Sequence, residues 1–482
     1  MLVITAQSQS ATWVNRIGSG GTQVADRSAI DTAGNLYVSG WFTGTNIDFD
    51  PSPTGTFLMT STGSSQDGFV AKFDKNGRFI WAFRFGGSGL DGVYHIALDH
   101  SGHFYITGFF RGANIDFDPG SATNAMTSNG DSGADPGYGG DMFLAKYDTS
   151  GQYIWSFHVG ASTLYDNGVG LCVDNADNPI VTGYFRESPD FDPGAGTKIL
   201  NSVSGTAFVA KYTATGDFQW AFNFGQGNTD NSVFDVKTDA ADNLYFAGFF
   251  QGSNIDIDPS ASTAILNSNG QADVIVAKFN SAGQYQWAKK LGGSGWDVSY
   301  CIALDISANV FVSGTYASSV MDLNPEAGIN NVTCSDAGNT FLIKFSSDGL
   351  YEWGFSLTGN GSVPDYGSGV SIDGQGNVLA AGRFDGQMDF DPSPATASLT
   401  SLGGGDAFFA KYSSAGNYLC AGRMGGSALE EVYEILPLGN NFYVTGYFKS
   451  AVADMDPGPG TYTLNSAGAE DMFIGRYYWD TR

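Results

Sequence analysis

FIWAFRFGGSGLDGVYHIALDHSGHFYITGFFRGANIDFDPG, residues Phe79 to Gly120, carries the pattern that decides the fold, and DMFLAKYDTSG, Asp141 to Gly151, completes it. The same text recurs along the chain. Its tryptophan marks the period: Trp13, Trp81, Trp155, Trp220, Trp287 and Trp353, with Cys420 in the seventh register position, at gaps of 68, 74, 65, 67, 66 and 67 residues. Each copy holds four runs of strand length bounded by Gly, Asp and Asn turns, and none holds an amphipathic helix. In the quoted copy the runs are VYHIALD (Val93 to Asp99), FYITGFF (Phe104 to Phe110), MFLAKYD and YIWSFHV. Turns such as DTAGN, DNADN, DAADN and DGQGN join the first two runs. Gly, or Asp and Asn where Gly is missing, supplies the positive φ that so tight a hairpin needs.

A four-stranded sheet of about 65 residues cannot hide both faces alone, whereas seven stacked radially can. The expected fold is therefore all-β: a seven-bladed β-propeller of four-stranded blades. The small, apolar IALD-type run suits the crowded axis, which makes it the innermost strand and the Trp strand the outermost. The chain then starts with an outer strand and ends one strand short, so the N-terminal strand completes the last blade and removes a sheet edge. The expected propeller covers residues 12–478. Its blades fall at about 24–87, 93–160, 167–226, 232–292, 298–358, 366–424 and 431–478 plus 12–18, with a tail at 479–482, and Trp13 beside the strand of Phe473 and Arg476. Aromatic pairs after the second-strand glycine (Trp41-Phe42, Phe109-Phe110, Tyr184-Phe185, Phe249-Phe250, Tyr447-Phe448) read as blade-to-blade packing.

At these residues the chain resembles the bacterial and archaeal SBBP repeat family of seven-bladed propellers. The resemblance rests on DTAGNLYVSGWF (Asp31 to Phe42) followed by FVAKFD (Phe69 to Asp74), and the strand order is similar to NHL-type repeats. It implies an exported or surface-attached protein without shared catalytic residues. Two departures are the long second-to-third connection and LPLGNN (Leu436 to Asn441), which lacks the turn aspartate.

That long connection carries an acidic motif in every blade: Asp48/Asp50/Pro51, Asp116/Asp118/Pro119, Asp190/Asp192/Pro193, Asp256/Asp258/Pro259, Asp322/Asn324/Pro325, Asp389/Asp391/Pro392 and Asp454/Asp456/Pro457. In extended backbone the two oxygen-bearing residues point one way while Phe49, Phe117 or Ile257 turns inward. Side-by-side carboxylates suit a hard cation such as calcium, which takes six to eight oxygens; the same residues also suit a stiff turn, with Asp accepting backbone N–H bonds and Pro setting φ. Asn324 makes blade five the weakest metal candidate. Asp67, Asp141, Thr206, Asp273, Asn339, Asp406 and Asp471 open the third strands, and Asp91, Asp166, Asp297 and Asp365 lie in fourth-to-first connections on the same face. That face is expected to be strongly acidic. The third-strand Lys72, Lys146, Lys211, Lys278, Lys344, Lys411 and Arg476 read as structural ion-pair or hydrogen-bond partners.

Composition bounds the partners. The chain has 482 residues, 67 of them Gly, only 15% charged and 42% hydrophobic, which excludes a disordered acidic tail or a coiled coil. Forty-nine acids against 22 bases leave −27, which disfavours nucleic acid. No run of 18 apolar residues occurs, so no membrane-spanning helix is expected. Residues 1–11, MLVITAQSQSA, read either as a leader remnant or as a disordered or strand-forming N-terminus. Cys172, Cys301, Cys334 and Cys420 share no spacing and read as buried free thiols. His95, His100, His103 and His158 sit in two blades only, which excludes a repeated His metal site. There is no G-x-S-x-G elbow, and the GGSG runs lack the Lys and helix of a phosphate loop.

The function expected from these residues is non-enzymatic: an exported or cell-surface binding or structural module. It would be calcium-stabilised through the acidic motifs, with a protein or carbohydrate ligand at the acidic loop face. The alternative is an extracellular polysaccharide hydrolase or lyase with carboxylates at the axial mouth. Ser128 to Gly140 is the insertion where asymmetric specificity could reside.

Overall fold

The computed structural model describes residues 9–129, 140–161, 165–202, 204–225, 230–334 and 337–479. Seven antiparallel blades of four strands follow one another along the chain, the sixth extended at Gly425 and Gly426 by the two-stranded ribbon Ala453–Asp454 and Thr463–Leu464. Blade one is typical: Gln23–Ile30, Leu36–Phe42, Asp67–Phe73 and Phe79–Phe85, each strand hydrogen-bonded to the next. There is no α-helix among the described residues.

Blade seven is built from both ends of the chain. Glu430–Leu438, Asn441–Phe448 and Asp471–Trp479 are joined by Gln9–Ile17, with Trp13 opposite Arg476 and Arg16 opposite Phe473. The strand begins at Gln9, so residues 9–11 belong to the propeller, and its partner runs to Trp479, into the expected tail. Residues 1–8 of the candidate leader, 480–482 of the tail and 130–139 of the blade-two insertion lie outside the described residues.

The first-to-second turns work as their residues require. Asp31 Oδ1 accepts the N–H groups of Ala33 and Asn35 at 3.0 and 2.8 Å, and Gly34 takes φ +84°. Asp177 and Asp242 fill that position at φ 63° and 59°, whereas blade five uses Ala308 at φ 60°, a strained choice that composition did not signal.

One hydrophobic cluster fills each of the seven seams, and the cluster joining Ile17, Tyr443, Met472 and Ile474 to Leu36, Val38 and Phe69 closes the circle. A fully buried Phe or Tyr removes about 150–250 Å² from water, on the order of 4–6 kcal/mol gross. The Trp side chains tie the seams at the periphery. Trp13, Trp81, Trp155, Trp287 and Trp353 each donate the indole N–H to a turn carbonyl of the next blade, at 3.2–3.3 Å. The third-strand cations join the same turns: Lys72 donates to Thr149 O, and Lys146 to Ala214 O while pairing with Asp99 at 3.2 Å. Lys211 and Lys411 pair with Asp174 and Asp373, so these bases are structural. All four cysteines are free and buried.

Candidate axial binding site

The acidic motifs form a small two-stranded ribbon on six blades, such as Ile47–Asp48 with Leu58–Met59, and a single bridge, Asp190 with Ile199, on the third. The intervening residues Phe49, Phe117, Phe191, Ile257, Leu323, Phe390 and Met455 are fully buried, while their polar neighbours are half-buried. Oδ1 of each first aspartate accepts two backbone N–H groups. For Asp48 these are Asp50 at 3.1 Å and Phe57 at 2.9 Å, and Asp116, Asp190, Asp256, Asp322, Asp389 and Asp454 repeat the pattern. Asp50, Asp118, Asp192, Asp258, Asn324, Asp391 and Asp456 each accept a further N–H two residues on. These are turn-forming bonds. Among the described residues no three His, Cys, Asp or Glu side chains converge where one metal ion would sit.

The ribbons also sit on the outer flank. Asp192 lies in a cleft with Trp155 and Thr215 to Phe218, and Asp256 and Asp258 in one with Trp220 and Gly283. The carboxylates expected around a ligand-binding face thus lie against the outermost strands. The other expected surface acids are interior: Asp91, Asp166, Asp297 and Asp365 are at most 2% exposed, and so are the Asp67-type residues that open the third strands. Asp91 accepts N–H from Gly87 and Arg111, so it clamps its loop.

The alternative reading put carboxylates at the axial mouth without naming a residue there. Every first strand carries a β-bulge at one place, and the bulged residues are Asp26, Tyr94, Val169, Phe234, Tyr300, Ser368 and Tyr433. A bulge re-aims its side chain. Here it turns residues of seven strands toward the axis near the fourth-to-first face. The sequence carries no clear signal of it, because the residues that follow the bulge (Arg27, His95, Gly170, Asp235, Cys301, Gly369 and Glu434) vary as widely as the bulged ones. The first members of the second-strand aromatic pairs join this ring: only the second members (Phe42, Phe110, Phe185, Phe250, Phe448) are fully buried in the seams, while Trp41, Phe109, Tyr184 and Phe249 stay partly exposed. Reading both members as seam packing was correct for one of the two. The belt runs Phe249–Phe234–Tyr300–Tyr366 with ring centres 5.5–5.7 Å apart, and Arg383 stacks on Tyr366 at 4.3 Å.

A cavity of about 400 Å³ opens there, lined by Asp26, Arg27, Tyr300, Tyr366, Ser368, Arg383, Glu431, Tyr433 and Tyr447. Glu431 accepts from Ser368 Oγ at 3.0 Å, Arg383 Nη1 at 3.3 Å and Tyr447 Oη at 3.4 Å. Below it the axis narrows to a charged waist. Arg27 pairs with Glu434 at 3.6 Å, and Lys237 with Asp235 at 2.6 Å. Burial alone would raise the Asp235 carboxyl, but Lys237, His95 and Arg27 hold it below its ordinary value. Burial lowers the His95 imidazole to about 3, so it is neutral. Beyond the waist, a second cavity of about 510 Å³ is lined by residues of all seven first strands.

No known family profile matches the chain. It is 22% identical to an uncharacterized WD repeat-containing protein of Acanthamoeba polyphaga mimivirus over 91% of this chain, and it spans 36% of that relative's length. Similar solved structures include the RRP9 WD40 repeats (TM-score 0.48, 10% identity, 98% of this chain and 99% of that one) and an ulvan lyase (TM-score 0.42, 10% identity, 96% and 94%). With seven sheets closed into a circle by its own first strand, the chain is a seven-bladed β-propeller repeat protein.

Proposed function

We propose that the protein is a non-enzymatic binding module of the SBBP type, exported or displayed at a cell surface, that holds a protein or carbohydrate ligand in its axial mouth. The observation that carries this reading is the asymmetry of the mouth. Where the seams repeat from blade to blade, the seven bulged positions present different side chains, and two of the four aromatic ones, Phe234 and Tyr300, belong to a continuous belt. Aromatic surface beside a few aimed polar groups is the usual make-up of a ligand site. The outer motifs, by contrast, repeat the same turn-forming bonds in every blade.

The test is to screen the whole chain against glycan and extracellular-protein arrays, then compare two double variants on each hit. Tyr300→Ala/Tyr366→Ala should abolish binding, and Asp192→Asn/Asp258→Asn should leave it within about twofold. Loss with the ribbon pair alone would place the ligand elsewhere and end this reading.

One observation favours a second reading, an extracellular polysaccharide hydrolase or lyase. Burial raises the Asp26 carboxyl to about 8, so it carries a proton at neutral pH, in the same cavity as Glu431. Release of reducing ends or unsaturated sugars from a polysaccharide panel, lost in Asp26→Asn, would establish it.

A further inference from the structure

Among the described residues that line the axial cavity and its waist, one charged side chain has no ion-pair partner. Arg27 is paired with Glu434, Lys237 with Asp235, and Arg383 with Glu431. Asp26 is left over. Its Oδ2 is shielded from solvent and has no hydrogen-bond partner, and its flanking Arg27 donates to the Asp26 backbone carbonyl and the Tyr300 carbonyl and pairs with Glu434, not with the Asp26 carboxyl. Among the seven bulged positions Asp26 is the one carboxylate; the others are Tyr, Phe, Val or Ser. An unpaired carboxylate in a low-dielectric, aromatic-walled cavity lacks one thing, a cation, and Tyr faces attract cations as well.

We propose that the axial cavity receives the guanidinium or ammonium group of an arginine or lysine side chain from a basic polypeptide, pairing with Asp26 between the tyrosine rings. This rests on the axial-mouth reading above and specifies the ligand. A polypeptide is favoured over a free amine because the whole chain carries −27, so a basic segment extending from the mouth meets a complementary field that a single small cation barely uses.

A proton competes for the same place. Asp26, raised to about 8 by burial, must ionise to pair, so affinity should rise between pH 6 and 9. The charged and titratable groups facing it are Arg27 on its own strand, Tyr94 and Tyr433 on the neighbouring ones, and, across the cavity, Arg383, Glu431, Tyr300, Tyr366 and Tyr447. Glu434, raised by burial to about 7, titrates in the same range but faces Arg27, so Asp26→Asn separates the two.

The experiment measures fluorescence anisotropy of the full chain with a labelled nonapeptide of alternating Arg and Ser, and with its twin in which neutral citrulline replaces Arg. The Arg peptide should bind at least tenfold more tightly than its twin. At pH 9, where Asp26 is ionised, the near-isosteric Asp26→Asn should lose at least tenfold while melting as cooperatively as the wild type. Asp456→Asn, which removes the same charge from the outer flank, should change affinity less than twofold. Equal binding of the citrulline twin, or undiminished binding by Asp26→Asn, overturns the cation, and the axial-mouth reading survives if Tyr300→Ala still abolishes binding. Binding indifferent to both substitutions, or no binding of either peptide, also overturns it; indifference to both defeats the axial reading for this ligand too. Spermidine competing as tightly as the peptide would overturn the polypeptide source.

Discussion

Asp67, Asp141, Asp273, Asp406 and Asp471 hold one position in five blades, and all are fully buried. Oδ2 of each meets a base: Arg84, His158 and Arg423 at 2.6 Å, Lys290 at 3.7 Å and Arg16 at 4.0 Å. Oδ1 of each has no partner. In two of these seams a methyl group on the intervening glycine would lie within 3 Å of this carboxylate and of an acid of the next blade, Asp91 beyond Gly86 and Glu430 beyond Gly425. Burial raises Asp67, Asp273 and Asp406 to about 6 and Asp91 to about 7, and a neighbouring acid adds to the rise at Asp91, Asp273 and Asp406. A carboxyl with a raised folded pKa favours the fold when protonated. Because the unfolded groups titrate near about 4, the fold binds more protons between pH 4 and 7 and loses stability as pH rises through that window. Calorimetry should therefore find the melting temperature highest near pH 4.5 and falling toward pH 8. Asp67→Asn and Asp406→Asn should each flatten that slope, and a melting temperature that rises across the window would contradict this account.

At the scale of the element, the outer ribbon shows how one motif can read two ways. The first aspartate satisfies two backbone donors and the second satisfies one. Asp48→Ala should cost about 1–3 kcal/mol and Asp50→Ala about half as much, measured by denaturant unfolding. Calcium stabilisation is a separate proposal with its own test. At 100 times its dissociation constant, calcium in one site adds about 2.7 kcal/mol, so a melt with calcium and then chelator should shift by several degrees if the carboxylates hold the ion. Coincident curves would leave the ribbons as turns only. The i, i+2 geometry was legible because alternation in extended backbone is local. Where the ribbons fold was not, since packing of Phe117 on Phe85 of the preceding blade, 4.6 Å between ring centres, is a contact between repeats.

For the whole molecule, circular closure concentrates stability in the last seam. The N-terminal strand carries Val14 and Ile17 into two adjacent seam clusters. Deleting residues 1–17 would uncover the Asp471–Trp479 edge and both clusters. The truncated chain should melt well below the full one and self-associate in light scattering, because an unpaired edge and uncovered core favour strand addition. A truncated monomer of unchanged melting temperature would show that closure by this strand is dispensable.

Strand number, blade count, turn chemistry and the pairing of the two chain ends could all be read along the sequence, because each follows from local backbone preference or from a period that repeats seven times. Burial of Asp91 and Asp67 could not, since it depends on which residues of adjacent blades face each other across a seam. The axial ring depended on tertiary structure still more. One extra residue per inner strand turns Asp26, Tyr94, Phe234, Tyr300 and Tyr433 toward a common axis, and alternation alone does not show that extra residue. Composition set the sign of the protein's field. Only the circle of seven strands determined that a single unpaired carboxylate would stand at its centre.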